Sequence, residues 1–210
     1  MRYLFCICFI FVISASAFGQ IKVNQQEQQR VLQQFNAASS SLASMQCDFV
    51  QTKKMRLLKN DMQSRGKMFY IKPNKLRWQY NTPYRYIFIL NGNEVHIKSD
   101  NNAQTVDIQR NKMFRQLSNV ILQSITGGHL SNSTDFTVEI LKDNGVYLAK
   151  LTPKKKELQK LYTSIEVTFS NDLTMVKSVR MVEKTGDITT VELQNVKVNT
   201  QISETLFTLH

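Results

Sequence analysis

The sequence predicts a mainly β protein with some α-structure: one strongly curved antiparallel sheet of about ten strands, with two helices packed against it. Three observations support this prediction. Apolar residues alternate with polar ones over most of the chain, which is the spacing of strands. Two segments instead repeat apolar residues at steps of three and four, which is the spacing of helices. Turn sequences such as Asn91-Gly92 separate the strand-like runs, and this dipeptide is a strong hairpin signal.

The N-terminal segment is typical of a secretory signal peptide. Arg2 is followed by an apolar run over residues 4–13 and then by small residues. Ten apolar residues are too few to span a bilayer. We expect cleavage after Gly19, with Ala17 as the alternative, so that residues 1–19 are removed and residues 20–210 form a single domain. This predicts export to the periplasm.

Composition narrows the classes of protein that the mature chain can belong to. It carries 26 basic and 16 acidic side chains, a net charge of +10, and the whole chain is 42% hydrophobic with three Pro. These values exclude disordered and collagen-like chains, and no second long apolar run predicts a membrane span. Cys47 is the only cysteine left after cleavage, so an intramolecular disulfide is excluded. Without a nucleophile motif around it, Cys47 is predicted to be a small buried hydrophobe.

The two helices are predicted from apolar stripes. Over residues 24–45 the stripe comprises Val31, Phe35, Ala38, Leu42 and Met45. Over residues 112–125 it comprises Met113, Leu117, Val120, Ile121 and Ile125, and Gly127-Gly128 follows as a C-cap would.

The strands are predicted from alternation and turns. They cover residues 47–58, 62–71, 75–80, 86–90, 94–98, 136–141, 147–151, 165–169, 176–183 and 189–198. Two of them, around residues 68–71 and 86–90, are apolar on both faces, although an antiparallel sheet with one wet face should alternate. Either both faces are covered by ordinary core packing, or one face is kept apolar for a ligand cavity in a barrel mouth.

Motifs for catalysis and for metal or cofactor binding are missing. The three His residues lack metal-ligand spacing, and a zinc site built on cysteines is impossible. The chain has no G-x-S-x-G elbow and no phosphate-binding glycine loop. We therefore expect no cofactor, no metal and no enzymatic activity.

Basic residues cluster in two places. Lys53, Lys54, Arg56 and Lys59 lie near the first hairpin, and residues 154–156 are three consecutive lysines. Export argues against nucleic acid as a partner. Anionic lipid headgroups or an acidic protein fit these clusters better, and a solvated loop is the simpler interpretation of the three lysines.

The sequence from Lys72 to Tyr80, which reads KPNKLRWQY, resembles the periplasmic lipoprotein-carrier family of LolA-like proteins. Family members read basic-Pro-x-x-aromatic-x-Trp here, after a strand that opens with Gly, matched by Gly66. Other matches are Asn91-Gly92, residues 49–51, Pro83, residues 151–153 and the closing strands with Phe207. The resemblance covers nearly the whole mature chain.

The resemblance implies an incomplete antiparallel β-barrel with an apolar inside, closed by helices that act as a lid. Such carriers take acylated lipoproteins from an inner-membrane lipoprotein-releasing ABC transporter and ferry them across the periplasm to an outer-membrane acceptor. We expect a monomer. A lipid-binding sensor or interaction module with the same fold, which regulates a partner protein, is the alternative.

The resemblance and strand parity together predict the site. The expected cavity residues are Phe49, Met68, Tyr70, Leu76, Trp78, Tyr80, Phe88 and Ile89. Leu76 stands where the family commonly has Phe. The underside of the lid would be Leu117, Ile121 and Ile125. Lys72 stands where the family usually has an Arg that bonds the lid, which predicts a lid latch there with fewer donors than an Arg. Plain core packing is the other interpretation of these apolar positions.

Overall fold

In the part of the chain that the structure describes, the fold is an open antiparallel barrel made of one twelve-stranded sheet. A computed structural model describes residues 19–100, 102–107, 122, 130 and 133–209. The strands are β1 Ile21–Lys22, β2 Ser44–Lys54, β3 Met62–Ile71, β4 Lys75–Thr82, β5 Tyr86–Asn91, β6 Glu94–Ser99, β7 Asn102–Asp107, β8 Phe136–Asp143, β9 Val146–Pro153, β10 Tyr162–Phe169, β11 Val176–Glu183 and β12 Ile188–Val198. The helices are α1 Gln25–Ser40, α2 Lys156–Leu161 and a 3-10 helix at Glu204–Phe207.

The strand order explains how the two halves of the chain join. It runs β1-β8-β9-β10-β11-β12-β2-β3-β4-β5-β6-β7, so β12 pairs with β2 at the middle of the sheet. All neighbouring strands described here are antiparallel. The strongly curved, incompletely closed sheet predicted from the sequence is confirmed.

Alternate residues of strands β2–β6 and β8–β12 build one continuous apolar face on the concave side. Across the middle strands the register aligns Leu193 of β12 with Phe49 of β2, and Cys47 of β2 with Met68 of β3. It then aligns Met68 with Trp78 of β4. These residues belong to one hydrophobic cluster that continues into β8–β11. The concave face is thus the core of the molecule.

Helix α1 covers one end of the concave face. The Asn24 side chain caps its first turn by accepting a hydrogen bond from the Glu27 amide at 2.8 Å. Val31 and Phe35 are buried, and the Phe35 ring lies 4.3 Å from that of Phe169 in β10. Arg30 donates to the Tyr147 hydroxyl at 3.0 Å. Helix α1 is therefore held against β8–β10 by both packing and polar contacts.

Helix α1 is shorter than the apolar stripe predicted. The helix ends at Ser40, and Met45, which the periodicity assigned to it, lies in β2 opposite Tyr70. Tertiary contacts explain the difference. As a strand residue, Met45 pairs with β3 and β12 and is buried. If the helix continued to Met45, the backbone groups of β3 that face this part of β2 would lose their hydrogen-bond partners.

Four elements were not predicted: β1, β7, α2 and the 3-10 helix. Edge strands β1 and β7 carry mostly exposed residues, so they lack the apolar alternation that identifies a strand. Helix α2 is six residues long and begins within the lysine run that was interpreted as loop, with Leu158 as its buried anchor. The predicted helix over residues 112–125 falls outside the described residues except for Leu122, which is helical. No helix among the described residues is long and apolar enough to cross a membrane.

Candidate functional site

Three aromatic residues form the centre of the candidate site on the concave face. The Phe49 ring lies 4.5 Å from that of Trp78 and meets the Tyr80 ring edge-on at 5.1 Å. Tyr80 in turn contacts the Tyr86 ring at 6.0 Å. Phe49 has space to lie over β3 and β4 because residue 66 beneath it is glycine.

The predicted cavity residues divide into two groups by burial. Phe49, Met68, Tyr70 and Leu76 are at most 4% exposed and form the floor of the concave face. Trp78, Tyr80 and Phe88 are only partly buried, although they pack against the same hydrophobic cluster. The floor thus behaves as ordinary core, while the second group presents apolar surface above it.

Ile89 lies on the opposite face of the sheet from these residues. It is the next residue after Phe88, so strand alternation directs it away, and its register partner is Arg77 rather than Trp78. Ile89 is buried outside the main hydrophobic cluster, on the face where the C-terminal 3-10 helix contacts β4 and β5. Phe88 and Ile89 therefore cannot line one cavity.

The other half of the sheet contributes residues to the concave face that were not predicted from the sequence. Val138, Tyr162 and Met181 are partly buried against the same cluster, as is Leu122. Strand parity could have placed Val138 and Met181 on this face, whereas Tyr162 reaches it through a register shift between Tyr162 and Ser164. What the sequence lacked was the pairing of β12 with β2, which brings this face into line with that of Trp78.

Polar side chains collect where β2 and β4 approach their common end of the sheet. The Tyr80 hydroxyl donates to Gln51 Oε1 at 2.9 Å. Lys53 pairs with Glu183 at 3.1 Å between Nζ and Oε1. Burial raises the pKa of Tyr80, and burial together with the Glu183 charge raises the pKa of Tyr162. Both phenols therefore stay neutral and can serve as hydrogen-bond donors.

The indole N–H of Trp78 is a buried donor within this group. It makes no hydrogen bond of good geometry to any described residue. It lies close enough to the Tyr80 hydroxyl to lower the pKa of Tyr80, but burial has the larger effect and raises that pKa overall. Burying this N–H without a hydrogen-bond acceptor is unfavourable in free energy, and a ligand that supplies an acceptor can recover that cost.

The partly buried aromatic surface on the concave face is of the kind that can bind apolar ligands. The family model of the outer membrane lipoprotein carrier protein LolA matches residues 40–210. The chain belongs to the LolA family. Within the described residues no group of three or more His, Cys, Asp or Glu side chains could hold a metal ion.

Individual relatives of this LolA family member are distant. An outer-membrane lipoprotein carrier protein of Chromohalobacter salexigens is 23% identical over 146 residues, 70% of this chain and 66% of that protein. One of Methylococcus capsulatus is 23% identical over 170 residues, 80% of this chain and 77% of that protein. The fold is similar to that of an uncharacterized conserved protein from Thermus thermophilus, with TM-score 0.51 and 10% identity over 87% of this chain and 93% of that one.

Lys72, which was predicted from the sequence as the lid latch, contacts helix α1 in the structure. Its Nζ donates to the Ser40 carbonyl at 3.0 Å, and its backbone amide donates to the Ala43 carbonyl at 2.9 Å. Ser40 is the last residue of α1, so the ammonium satisfies a free carbonyl at the negative end of the helix dipole. Leu117, Ile121 and Ile125, predicted as the lid underside, lie outside the described residues.

Cys47 is placed as the sequence predicted, as a buried hydrophobe between β12 and β3. Burial, with a smaller contribution from the Asp48 charge, raises the pKa of its thiol to about 12. The thiolate needed for nucleophilic chemistry is therefore scarce at neutral pH.

Proposed function

We propose that this protein is a periplasmic carrier that binds the acyl chains of lipoproteins on its concave face and ferries them from the inner to the outer membrane. Membership of the LolA family supports the carrier role. The observation that carries the proposal is the partly buried aromatic group of Trp78, Tyr80 and Phe88, which offers apolar surface continuous with the core.

Physical chemistry explains why a carrier needs such a face. An acyl chain of roughly sixteen carbons carries on the order of 12 kcal/mol of exposure penalty, at about 0.8 kcal/mol per CH₂. A protein that moves the chain through water must offset most of this free energy by contact with apolar surface. Large aromatic rings supply that contact area with few rotatable bonds.

The proposal includes the route and the partners. Residues 1–19 would be the signal peptide that exports the chain, and residues 20–210 the carrier domain. Loading would come from an inner-membrane lipoprotein-releasing ABC transporter and unloading at an outer-membrane acceptor. The role is binding and transfer without covalent change, and in it Lys72 would serve as a latch that restrains the lid.

The test measures how well an acyl-chain fluorescent probe binds to the mature protein. Phe88 and Ile87 are neighbours on β5, both partly buried, on opposite faces of the sheet. We expect Phe88→Glu and Trp78→Glu to abolish probe binding, and the matched control Ile87→Glu to retain it. Phe88→Ala provides a milder change if a Glu variant does not fold. Equal binding by the Phe88 and Ile87 variants would contradict the proposal.

A further inference from the structure

One end of the barrel concentrates the exposed apolar side chains. The structure exposes eight large hydrophobic residues among those it describes, and six of them lie at this end. The six are Leu57, Leu58, Met62, Tyr84, Tyr86 and Leu161. Leu57, at the tip of the β2–β3 loop, is 94% exposed. The other two, Ile21 and Val198, lie at the opposite end.

These residues belong to one surface because five of the described chain connections leave the sheet at the same end. The connections are β2–β3, β4–β5, β6–β7, β9–β10 through α2, and β11–β12. The Arg56 amide of the first donates to Asp187 Oδ1 of the last at 3.0 Å. The Lys184 amide donates to the Leu161 carbonyl at 2.9 Å. We call residues 53–62, 83–86, 154–162 and 183–187 the basic rim.

The basic rim is strongly cationic. It contains ten Lys and Arg residues and four Asp and Glu residues. Lys53 and Lys54 are paired with Glu183 and Asp61, at 3.1 and 3.6 Å, and Lys155 with Asp135 on the adjoining loop. Seven rim cations are exposed and have no ion-pair partner among the described residues: Arg56, Lys59, Arg85, Lys154, Lys156, Lys160 and Lys184.

The opposite end has a different character. Helix α1 covers the concave face there, and three of the cations at that end have acidic partners. Lys22 pairs with Glu139 at 2.5 Å, Lys142 with Glu27 at 3.7 Å, and Lys75 with Glu204. Lys72, Lys177 and Lys197 at that end have no acidic partner among the described residues. What distinguishes the basic rim is therefore the combination of clustered unpaired cations with exposed leucine and tyrosine side chains.

We propose that the basic rim docks on an anionic lipid bilayer. A membrane surface presents phosphates to Lys and Arg and a hydrocarbon boundary to Leu, while Tyr favours the interface between them. An acidic protein would satisfy the cations, but it would not by itself bury leucines at a projecting loop tip. The alternation of cations with exposed apolar side chains thus favours the bilayer.

Docking in this orientation would bring the candidate site to the membrane. Tyr86 belongs to the rim, and its ring lies 6.0 Å from that of Tyr80 in the aromatic group. Because α1 covers the far end, an acyl chain on the concave face would meet the bilayer through the rim. Only this consequence rests on the proposed carrier function, since the docking itself requires no cargo.

The test is co-sedimentation of the mature protein with vesicles. We expect binding to vesicles of phosphatidylcholine containing phosphatidylglycerol, little binding to phosphatidylcholine alone, and weakening with added salt. Leu57→Ser with Leu58→Ser should lower the partition coefficient roughly tenfold or more. Lys59→Gln with Lys184→Gln should lower it roughly thirtyfold at low salt, since two charges near the surface at about 1 kcal/mol each contribute about 2 kcal/mol.

Matched controls come from the opposite end. Ile21→Ser removes a side chain that is 71% exposed, and Lys177→Gln with Lys197→Gln removes the same charge as the rim pair. Both should bind vesicles like the unmodified protein. The proposal is overturned if the mature protein fails to bind anionic vesicles at low salt, as it would if the rim served an acidic protein. Equal losses in the rim and control variants would also overturn it. Acyl-probe binding should be unchanged in all of them, which separates this test from that of the carrier function.

Discussion

Gly66 lies directly across the sheet from Phe49, and the absence of a side chain at Gly66 makes room for the Phe49 ring. A Cβ atom built on Gly66 would approach the Gln79 carbonyl oxygen to 1.9 Å and Phe49 Cζ to 2.6 Å. The glycine is therefore required by close packing at the centre of the candidate site. The aromatic group could not assemble over a larger residue.

We expect Gly66→Ala to destabilise the protein by about 3 kcal/mol, the upper end for overpacking, because one of the two clashes is with backbone. Thermal or denaturant unfolding measures the change. Phe49→Leu in the same chain should recover part of the loss, since it removes only the clash with the ring. A fully additive double-mutant cycle would contradict this packing relationship.

Lys72 can be tested as a helix cap and as a latch in one experiment. Its bond to the Ser40 carbonyl is exposed, so Lys72→Met should lower the free energy of unfolding by only about 0.5–1 kcal/mol. If Lys72 also restrains the lid, the same variant should release a bound acyl probe faster, and Lys72→Arg should slow the release below that of the Met variant. Unchanged release rates in both variants would leave Lys72 as a cap alone.

Trp78 is predicted to recognise a carbonyl as well as a hydrocarbon chain. Its buried indole N–H lacks a well-formed hydrogen bond among the described residues, so an ester carbonyl of the cargo can supply the acceptor. Trp78→Phe keeps an aromatic ring and removes the donor. We expect it to weaken binding of a fatty-acyl ester by roughly tenfold, about 1–1.5 kcal/mol, relative to an alkane of equal length. Equal losses for the two ligands, measured by calorimetry, would rule out the hydrogen bond.

Cys47 should be unreactive in the folded protein. Its pKa is raised from 9.0 to about 12, chiefly by burial, so thiol reagents should label it slowly at neutral pH and rapidly in denaturant. Folding favours the protonated thiol. Its contribution to stability is therefore complete below pH 9.0 and is lost as the pH rises toward about 12. Cys47→Ala should reduce this alkaline loss; an identical loss in the variant would exclude Cys47 as its source.

Local sequence patterns predicted most of the middle strands well. The predicted strand over residues 62–71 coincides with β3, and the Asn91-Gly92 hairpin is confirmed, with Gly92 in the left-handed region at φ +62°. These features depend on alternation and turn chemistry, which short segments contain. The prediction of one large curved sheet rested on the number of such strands.

What the sequence could not supply was long-range pairing. Strand β1 has two exposed residues and exists because it pairs with β8, more than a hundred residues away. Ile89 looked like a cavity residue because its run is apolar on both faces. Only the position of the 3-10 helix near the C-terminus, which contacts β4 and β5, explains why its own face is also buried.

The carrier function is tested most directly by identifying the molecules that co-purify with the protein. The mature protein would be purified without detergent from the periplasm of its own host, and co-purifying species identified by intact-mass analysis. The account predicts acylated lipoproteins in the unmodified protein and their loss in Phe88→Glu, with retention in Ile87→Glu. Free lipid alone, or no bound species, in the unmodified protein would contradict it and favour a lipid-binding sensor of the same fold.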